Sequence, residues 1–230
     1  MSGWPMVRFG EVADFVSGGT PNRKIKNFYT GEIPWISGAD ISDSGDIEIR
    51  RKITEEAVNK SATNIVPAGT LLLVTRTSVG KVATAPIDLT FSQDITGIFP
   101  KKGKIIPEYL EHFIRAIGSL ELERKARGVT IKGVSRSDVT TLLIPLPPLR
   151  EQKRIAEILG KINDSIEKLK DQIYSIESLP KKIFEQNFNR EFRDGKRPSV
   201  PASDFVFNTQ YGTSKKASNS GSIPILRMGN

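Results

Sequence analysis

The feature that most constrains this chain is a regular apolar repeat in its second half. Ile and Leu recur at alternating spacings of four and three residues over three heptads, with charged residues at most positions between them. Such a 3.5-residue repeat forms one narrow apolar stripe on a helix, which favours a coiled-coil partner over packing against its own domain. We predict a helix over residues 151–178 that ends before Pro180. The helix partner seam consists of Ile155, Leu159, Ile162, Ile166, Leu169, Ile173 and Ile176.

A pair of prolines separates this helix from a first half of different character. In Leu146–Leu149 (LPPL) the two rings restrict the backbone and stop the element that precedes them. The pattern predicts an α+β fold, with one mixed α/β domain over residues 1–148 and a long coiled-coil helix over residues 149–190.

Short apolar runs and proline signals predict the elements of the first domain. Thr70–Thr75 and Thr96–Phe99 have the composition of buried strands. Glu32–Ser37 is a further strand, which its internal proline assigns to a sheet edge or to a strand start. Pro107 opens a helix with apolar residues at helical spacing, and Gly118 is expected to end it.

The end of the chain repeats its beginning. The pair Gly19-Thr20 recurs as Gly212-Thr213, and the Gly-x-Ile-Pro run that starts at Gly31 recurs from Gly221, roughly 190 residues later. A repeat at this distance, with the same order of features, indicates a duplicated domain. We therefore expect residues 191–230 to form a linker and the truncated start of a second copy.

Charge and composition narrow the class of protein. The net charge of +8 favours an acidic partner, and nucleic acid is the commonest one. The chain has no cysteine and one histidine, which excludes disulfides, thiolate metal sites and two-histidine zinc sites. Residues 1–15 lack an apolar signal core, and no stretch reaches the roughly 20 apolar residues of a membrane span. We expect a cytoplasmic protein with no membrane segment.

No catalytic motif is complete. Thr75–Val82 (TRTSVGKV) resembles a phosphate-binding loop but lacks the first glycine and the final hydroxyl residue. Asp46, Glu48 and Arg50 are reminiscent of a metal-dependent nuclease, yet the lysine that would complete such a site is missing. We therefore expect no catalytic, cofactor-binding or metal-binding residue, with a nuclease as the less favoured alternative.

Five segments together resemble the specificity subunits of type I restriction-modification enzymes. They are Val7–Pro21 (VRFGEVADFVSGGTP), Ile33–Ile41 (IPWISGADI), Arg76–Lys81 (RTSVGK), Gln93–Ile98 (QDITGI) and Ile144–Ile158 (IPLPPLREQKRIAEI). The last, at the start of the long helix, is the most specific signal. The resemblance covers essentially the whole chain.

This resemblance implies a non-catalytic subunit that reads double-stranded DNA for separate methyltransferase subunits, with the restriction motor subunit as a further partner. S-adenosylmethionine, Mg²⁺ and ATP would belong to those partners. In the family, two target-recognition domains each read half of a bipartite site, and long helices set their distance. This chain has one complete recognition domain, which implies a truncated or half-length form. A second copy would then supply the missing helix, in an antiparallel homodimer with two-fold symmetry.

Three loops carry the candidate DNA-binding residues, because phosphates attract Lys and Arg while base edges suit Arg, Lys, Asn, Gln, Ser and Thr. The loops are Thr20–Tyr29, Arg76–Lys81 and Arg127–Gly133. A solubilising role is the alternative for any one of the charges, and a sequence-independent DNA-binding assembly adaptor is the alternative for the whole protein. The predicted cations are Arg23, Lys24, Lys26, Arg76, Lys81, Arg127 and Lys132, and the predicted base readers are Thr20, Asn22 and Gln93.

Overall fold

The computed structural model describes residues 3–128, 132–186 and 201, and the chain divides into two units, Met1–Lys168 and Leu169–Asn230. The strands are β1 (Met6–Arg8), β2 (Ala13–Ser17), β3 (Ile33–Ile36), β4 (Arg51–Ile53), β5 (Ile65–Val66), β6 (Leu71–Val74), β7 (Val82–Thr84), β8 (Leu89–Phe91), β9 (Ile95–Pro100) and β10 (Leu143–Pro145). The helices are α1 (Phe9–Val12), α2 (Glu55–Asn59), α3 (Pro107–Phe113), α4 (Ser119–Lys125), α5 (Arg136–Thr140) and α6 (Leu149–Phe184).

The strands of the first unit form two four-stranded sheets and a small ribbon. One sheet has the order β2-β9-β6-β7 and is antiparallel throughout. The second has the order β4-β3-β8-β5, in which β3 and β8 run parallel. The ribbon pairs β1 with β10 and so joins the beginning of the domain to the segment just before α6.

Strand β6 shows how the sequence produces layers. Leu71 and Leu73 point into a cluster that includes the apolar residues of α3. Leu72 and Val74 point the opposite way, into a cluster between the two sheets that contains Phe91. Because successive strand residues face opposite sides, a run that is apolar at every position is buried on both faces. The buried strand predicted at residues 70–75 is confirmed, as is the one at residues 96–99.

The prediction for residues 32–37 holds in its second alternative, a proline near a strand start, and the prediction for Gly118 is wrong. Strand β3 is not an edge strand, because it lies between β4 and β8. Its proline is accommodated near the strand start: the parallel ladder to β8 begins one residue later, at Trp35, and Thr90 Oγ1 donates to Pro34 O at 2.8 Å. Gly118 does not end its helix, since a π-helical turn, Ile114–Gly118, leads directly into α4. A Cβ added at Gly118 would lie 3.4 Å from Leu142, an ordinary packing distance, so the position does not require glycine.

Helix α6 begins where the prolines predict and continues further than expected. It has 36 residues and runs through Pro180 to Phe184, so the predicted end before Pro180 is wrong. A proline removes one backbone hydrogen bond from a helix interior, and the helix here continues past that loss. The predicted fold class, a mixed α/β domain followed by a long helix, is confirmed.

The predictions of a second copy and of a chain without a membrane segment concern the termini and the helices. The expected linker and truncated second copy, residues 191–230, lie outside the described residues except for residue 201, and the predicted domain boundaries remain predictions. Over the described residues, no helix has the combination of length and apolar character that a membrane crossing requires.

Candidate nucleic-acid interface

The carboxyl ends of four strands lie at one edge of the mixed domain. β3 and β8 run parallel and end together, and β2 and β6 end where their antiparallel neighbour β9 begins. The turn after β8 joins the two sheets there: Ser92 N donates to Ile36 O at 2.8 Å, and Thr75 N donates to Asp94 O at 2.7 Å. This surface carries six Lys or Arg and two Asp. We call it the basic edge, and it consists of residues 17–20, 37–40, 50–51, 75–81, 92–94, 127–128 and 132–134.

Two of the predicted loops meet at the basic edge through backbone hydrogen bonds. Thr77 N donates to Lys132 O at 2.8 Å, and Val134 N donates to Thr75 O at 2.9 Å. Thr77 has a positive φ of 67°, which is uncommon for a β-branched residue and tends to mark functional loops. A cavity of about 440 Å³ opens beside this contact, and its lining includes Arg76, Gln93, Asp94 and Arg127.

The third loop reaches the same place through one side chain. Thr20 Oγ1 donates a hydrogen bond to Gln93 Oε1. The structure therefore brings together two of the three predicted base readers, although they lie 73 residues apart in the sequence. Asn22 has a local contact instead: its Oδ1 accepts from Lys24 N at 3.0 Å and shapes the turn.

The third loop carries three cations. Arg23, Lys24 and Lys26 are exposed, and none makes a salt bridge with a described residue. They follow Thr20 and flank the basic edge. Their assignment as DNA-binding residues stays a prediction.

Lys81 has a different environment from Arg76, although the two share one loop. Its Nζ lies 2.8 Å from Asp43 Oδ1 and donates to Ile41 O at 3.3 Å. Arg115 holds the same acidic loop, donating from Nη1 to Ser44 O at 2.7 Å. The acidic loop at residues 42–48 is thus held by two cations.

The glycines next to Thr20 have a packing role. An added Cβ at Gly18 would lie 2.3 Å from Ser92 O, and one at Gly19 would lie 2.4 Å from the backbone of Ala62 and Thr63. Only glycine fits such close backbone approaches. The Ser-Gly-Gly-Thr run at residues 17–20 therefore packs the edge together.

The nuclease alternative gains no support from the carboxylates. Glu48 forms a salt bridge with Arg50. Among the residues that the structure describes, no group of three or more His, Asp or Glu side chains is arranged to hold a metal ion.

Sequence reasoning did not predict a role in DNA binding for two cations at the basic edge, Arg51 and Arg50, and considered Arg50 only for the nuclease alternative. Both lie near the buried carboxylate of Asp40, with Arg50 Nη1 at 3.6 Å from Oδ1 and Arg51 Nη2 at 2.5 Å from Oδ2. Burial raises the pKa of Asp40, but hydrogen bonds from Ser37 and the charge of Arg51 outweigh it and lower that pKa overall. The signal that could have found them is the run of three cations at residues 50–52 (RRK), which leads into strand β4.

The apolar seam of α6 is largely exposed in the single chain. Ile155 packs partly against the core of the mixed domain. The other six seam residues are each at least 37% exposed. Because α6 continues past Pro180, Ile183 falls one heptad after Ile176 and extends the pattern that the sequence prediction had ended too early.

Comparisons with known proteins agree on one family. The family model for the type I restriction modification DNA specificity domain matches residues 1–178. The MjaIX specificity subunit of Methanocaldococcus jannaschii is 32% identical over 211 residues, which cover 90% of this chain and 47% of that protein. The EcoR124I/EcoR124II specificity subunit of Escherichia coli is 34% identical over 160 residues, 67% of this chain and 39% of that protein.

Solved structures share the fold. The HsdS subunit from Thermoanaerobacter tengcongensis aligns with a TM-score of 0.59 and 23% identity, over 75% of this chain and 40% of that one. The S subunit of a type I system from M. genitalium aligns with a TM-score of 0.59 and 18% identity, over 82% of this chain and 46% of that one. The chain spans about half the length, or less, of the curated relatives it matches. The resemblance found in the sequence is confirmed, and the chain belongs to the type I restriction-modification DNA specificity family.

Proposed function

We propose that this chain is a non-catalytic DNA-recognition subunit that reads one half of a bipartite site for a type I restriction-modification complex. The observation that carries the proposal is the basic edge, where Arg76, Arg127 and Lys132 converge from loops more than 45 residues apart. Lys and Arg on one surface bind the phosphates that fix a protein on the duplex.

Base reading is assigned to the polar side chains between these cations. Gln93 is exposed beside Arg76 and Arg127, and its Oε1 is oriented by Thr20. An exposed amide at a cationic surface has the donor and acceptor needed for a base edge in the major groove. The loop cations Arg23, Lys24 and Lys26 would add phosphate contacts beside it.

The exposed seam supports a homodimer through antiparallel α6 helices. Full burial of an Ile or Leu side chain contributes roughly 1.5–3 kcal/mol, so covering six partly exposed ones stabilises a complex by several kcal/mol per chain. A second copy offers the same stripe, and two-fold pairing closes the assembly. Each recognition domain would then read one half of the site.

The reaction chemistry would reside in other subunits. The relatives are named as specificity subunits of type I restriction enzymes, which supports methyltransferase subunits as partners and the restriction motor subunit as a further one. S-adenosylmethionine, Mg²⁺ and ATP would bind to those subunits.

Selection from a random pool of DNA duplexes tests the proposal. The purified chain, alone and with its methyltransferase, should enrich a defined sequence. Equal binding of all sequences with a steep salt dependence would instead indicate a sequence-independent adaptor. Cleavage of DNA on addition of Mg²⁺ would indicate the nuclease alternative.

A further inference from the structure

Arg51, the first residue of β4, is held at the basic edge by an unusually complete set of contacts. Its Nη2 donates to Asp40 Oδ2 at 2.5 Å and to Ser37 Oγ at 2.9 Å. Its Cζ lies 4.7 Å from the ring centroid of Trp35. Stacking fixes the plane of the guanidinium group, and the two hydrogen bonds fix its rotation within that plane.

The supports of Arg51 are buried while its own side chain reaches solvent. Trp35 is 1% exposed and the Asp40 side chain is 1% exposed, whereas the Arg51 side chain is 38% exposed. A guanidinium group has five N–H donors. Both contacts use Nη2, and no hydrogen bond from Nη1 or Nε to a described residue accompanies them. The two N–H groups of Nη1 and the one of Nε, on either side of the engaged Nη2, are therefore open to a ligand.

Neutralising Asp40 does not by itself account for this arrangement. Arg50 Nη1 already lies 3.6 Å from Asp40 Oδ1, an oxygen that accepts no hydrogen bond within the described part of the chain. Two guanidinium groups thus share one buried carboxylate. One cation would suffice for charge balance, but a fixed orientation of Arg51 needs the hydrogen bonds and the stacking together.

Arg51 also belongs to the same surface as the predicted DNA-binding loops. Gly38 lies between Ser37 and Asp40, and a Cβ added there would approach Thr77 Oγ1 at 3.6 Å and Arg76 O at 3.7 Å. The turn that holds Arg51 therefore packs directly against the loop that carries Arg76.

We propose that Arg51 is a preorganised DNA-contacting residue, with Asp40 and Trp35 as its positioning residues. Its open Nη1 and Nε donors would bind single acceptors on DNA, either N7 of a guanine or an oxygen of a phosphate. The inference rests on the proposed function and adds to it a contact that none of the predicted loops contains. Preorganisation strengthens such a contact because little side-chain freedom is lost on binding.

Arg51→Lys in the full chain is the main test, with Arg50→Lys as the matched control. The lysine keeps the charge beside Asp40 but loses the planar group that Asp40, Ser37 and Trp35 hold in a fixed orientation. Wild type is first used to select its sequence from random duplexes. We expect Arg51→Lys to bind that sequence at least roughly tenfold more weakly, and Arg50→Lys, whose residue is paired with exposed Glu48, to change affinity less.

Changing the DNA distinguishes a guanine contact from a phosphate contact. With a guanine contact, replacing one guanine by 7-deazaguanine weakens wild type but not Arg51→Lys, and the variant loses its preference at that base pair. With a phosphate contact, Arg51→Ala binds all sequences more weakly and its salt slope falls by about one. Either pattern supports the proposal.

The inference and the proposed function fail in different ways. If folded Arg51→Lys keeps wild-type affinity, sequence preference and salt slope, the inference is overturned while DNA recognition stands. Arg51→Lys decides the outcome if Arg51→Ala does not fold. If wild type binds no DNA, alone or with its methyltransferase, the proposed function is overturned and the role of Arg51 with it.

Discussion

Gln152, in the first turns of α6, accepts a hydrogen bond at its Oε1 from the backbone N–H of Ile106 at 2.9 Å. Its Nε2 donates to Pro147 O at 2.9 Å and to Lys104 O at 3.2 Å. The side chain is fully buried. One amide thus satisfies three backbone groups and fixes the start of α6 against the domain that precedes it.

Gln152→Leu should destabilise the protein by about 2–4 kcal/mol. The leucine has a similar volume but leaves the N–H of Ile106 and two carbonyls unpaired in a buried place, and each such group is costly. Urea unfolding followed by circular dichroism measures the change, with Lys153→Leu at the exposed neighbouring position as the control. Equal stability of Gln152→Leu and wild type would show that these hydrogen bonds do not anchor the helix.

Arg76→Ala should weaken DNA binding without loss of folding and should lower the salt slope by about one, as expected for one lost phosphate contact. The sequence predicts the same for Lys81→Ala. Because the Lys81 ammonium group is engaged by Asp43 and Ile41, we expect a smaller effect on DNA binding and a larger one on stability. Titration of a duplex at several salt concentrations measures both. Unchanged affinity and slope in both variants would remove this loop from the interface.

Elements with strong local patterns could be predicted from the sequence. A short run that is apolar at every position, as at Leu71–Val74, is typical of a strand that is buried on both faces. The prolines before Leu149 allow a helix to start only after them. The alternating spacing from Ile155 onward places the apolar side chains in one stripe along a helix. In each case the signal lies within a few residues of the element.

Features that depend on distant contacts could not be predicted. Gly118 has the sequence signal of a helix end, yet the helix continues through it into α4. The ion pair of Lys81 joins residues 38 positions apart, and Thr20 meets Gln93 only after the two sheets are joined. Arg51 carried a weak local signal, but its fixed orientation depends on Asp40 and Trp35.

Asp40→Asn should reduce stability at neutral pH and flatten the acid dependence of unfolding. The pKa of Asp40 is lowered in the folded protein, so its carboxylate contributes stability above the unfolded value of roughly 3.9. That contribution is lost as pH falls from there through the lower folded pKa. Unfolding in urea at pH 7 and pH 3 should therefore show a large difference between variant and wild type at pH 7 and a smaller one at pH 3.

Asp164→Asn, at an exposed position on α6, is the control for this pH experiment. It removes one carboxylate without touching Ser37 or Arg51. A constant difference between Asp40→Asn and wild type at both pH values would contradict the assigned role of the Asp40 charge.

Ile162→Asp combined with Leu169→Asp should give a folded monomer. Each aspartate places a charge in the seam, where a partner helix would have to bury it. Light scattering at micromolar concentration should give twice the chain mass for wild type and the single-chain mass for the variant. The control, Lys161→Asp with Lys168→Asp, adds the same carboxylates outside the seam and should remain a dimer. Monomeric wild type, both alone and with the methyltransferase, would contradict the homodimer.

The central claim is that this chain directs a methyltransferase to one DNA sequence. The most direct measurement is to map methylated bases on DNA after reaction with the methyltransferase, with and without this chain. We predict methylation that depends on this chain and falls at a single interrupted palindrome, because two identical domains related by a two-fold axis read inverted half-sites. Methylation that is independent of this chain, or that is scattered over unrelated sequences, would contradict the account.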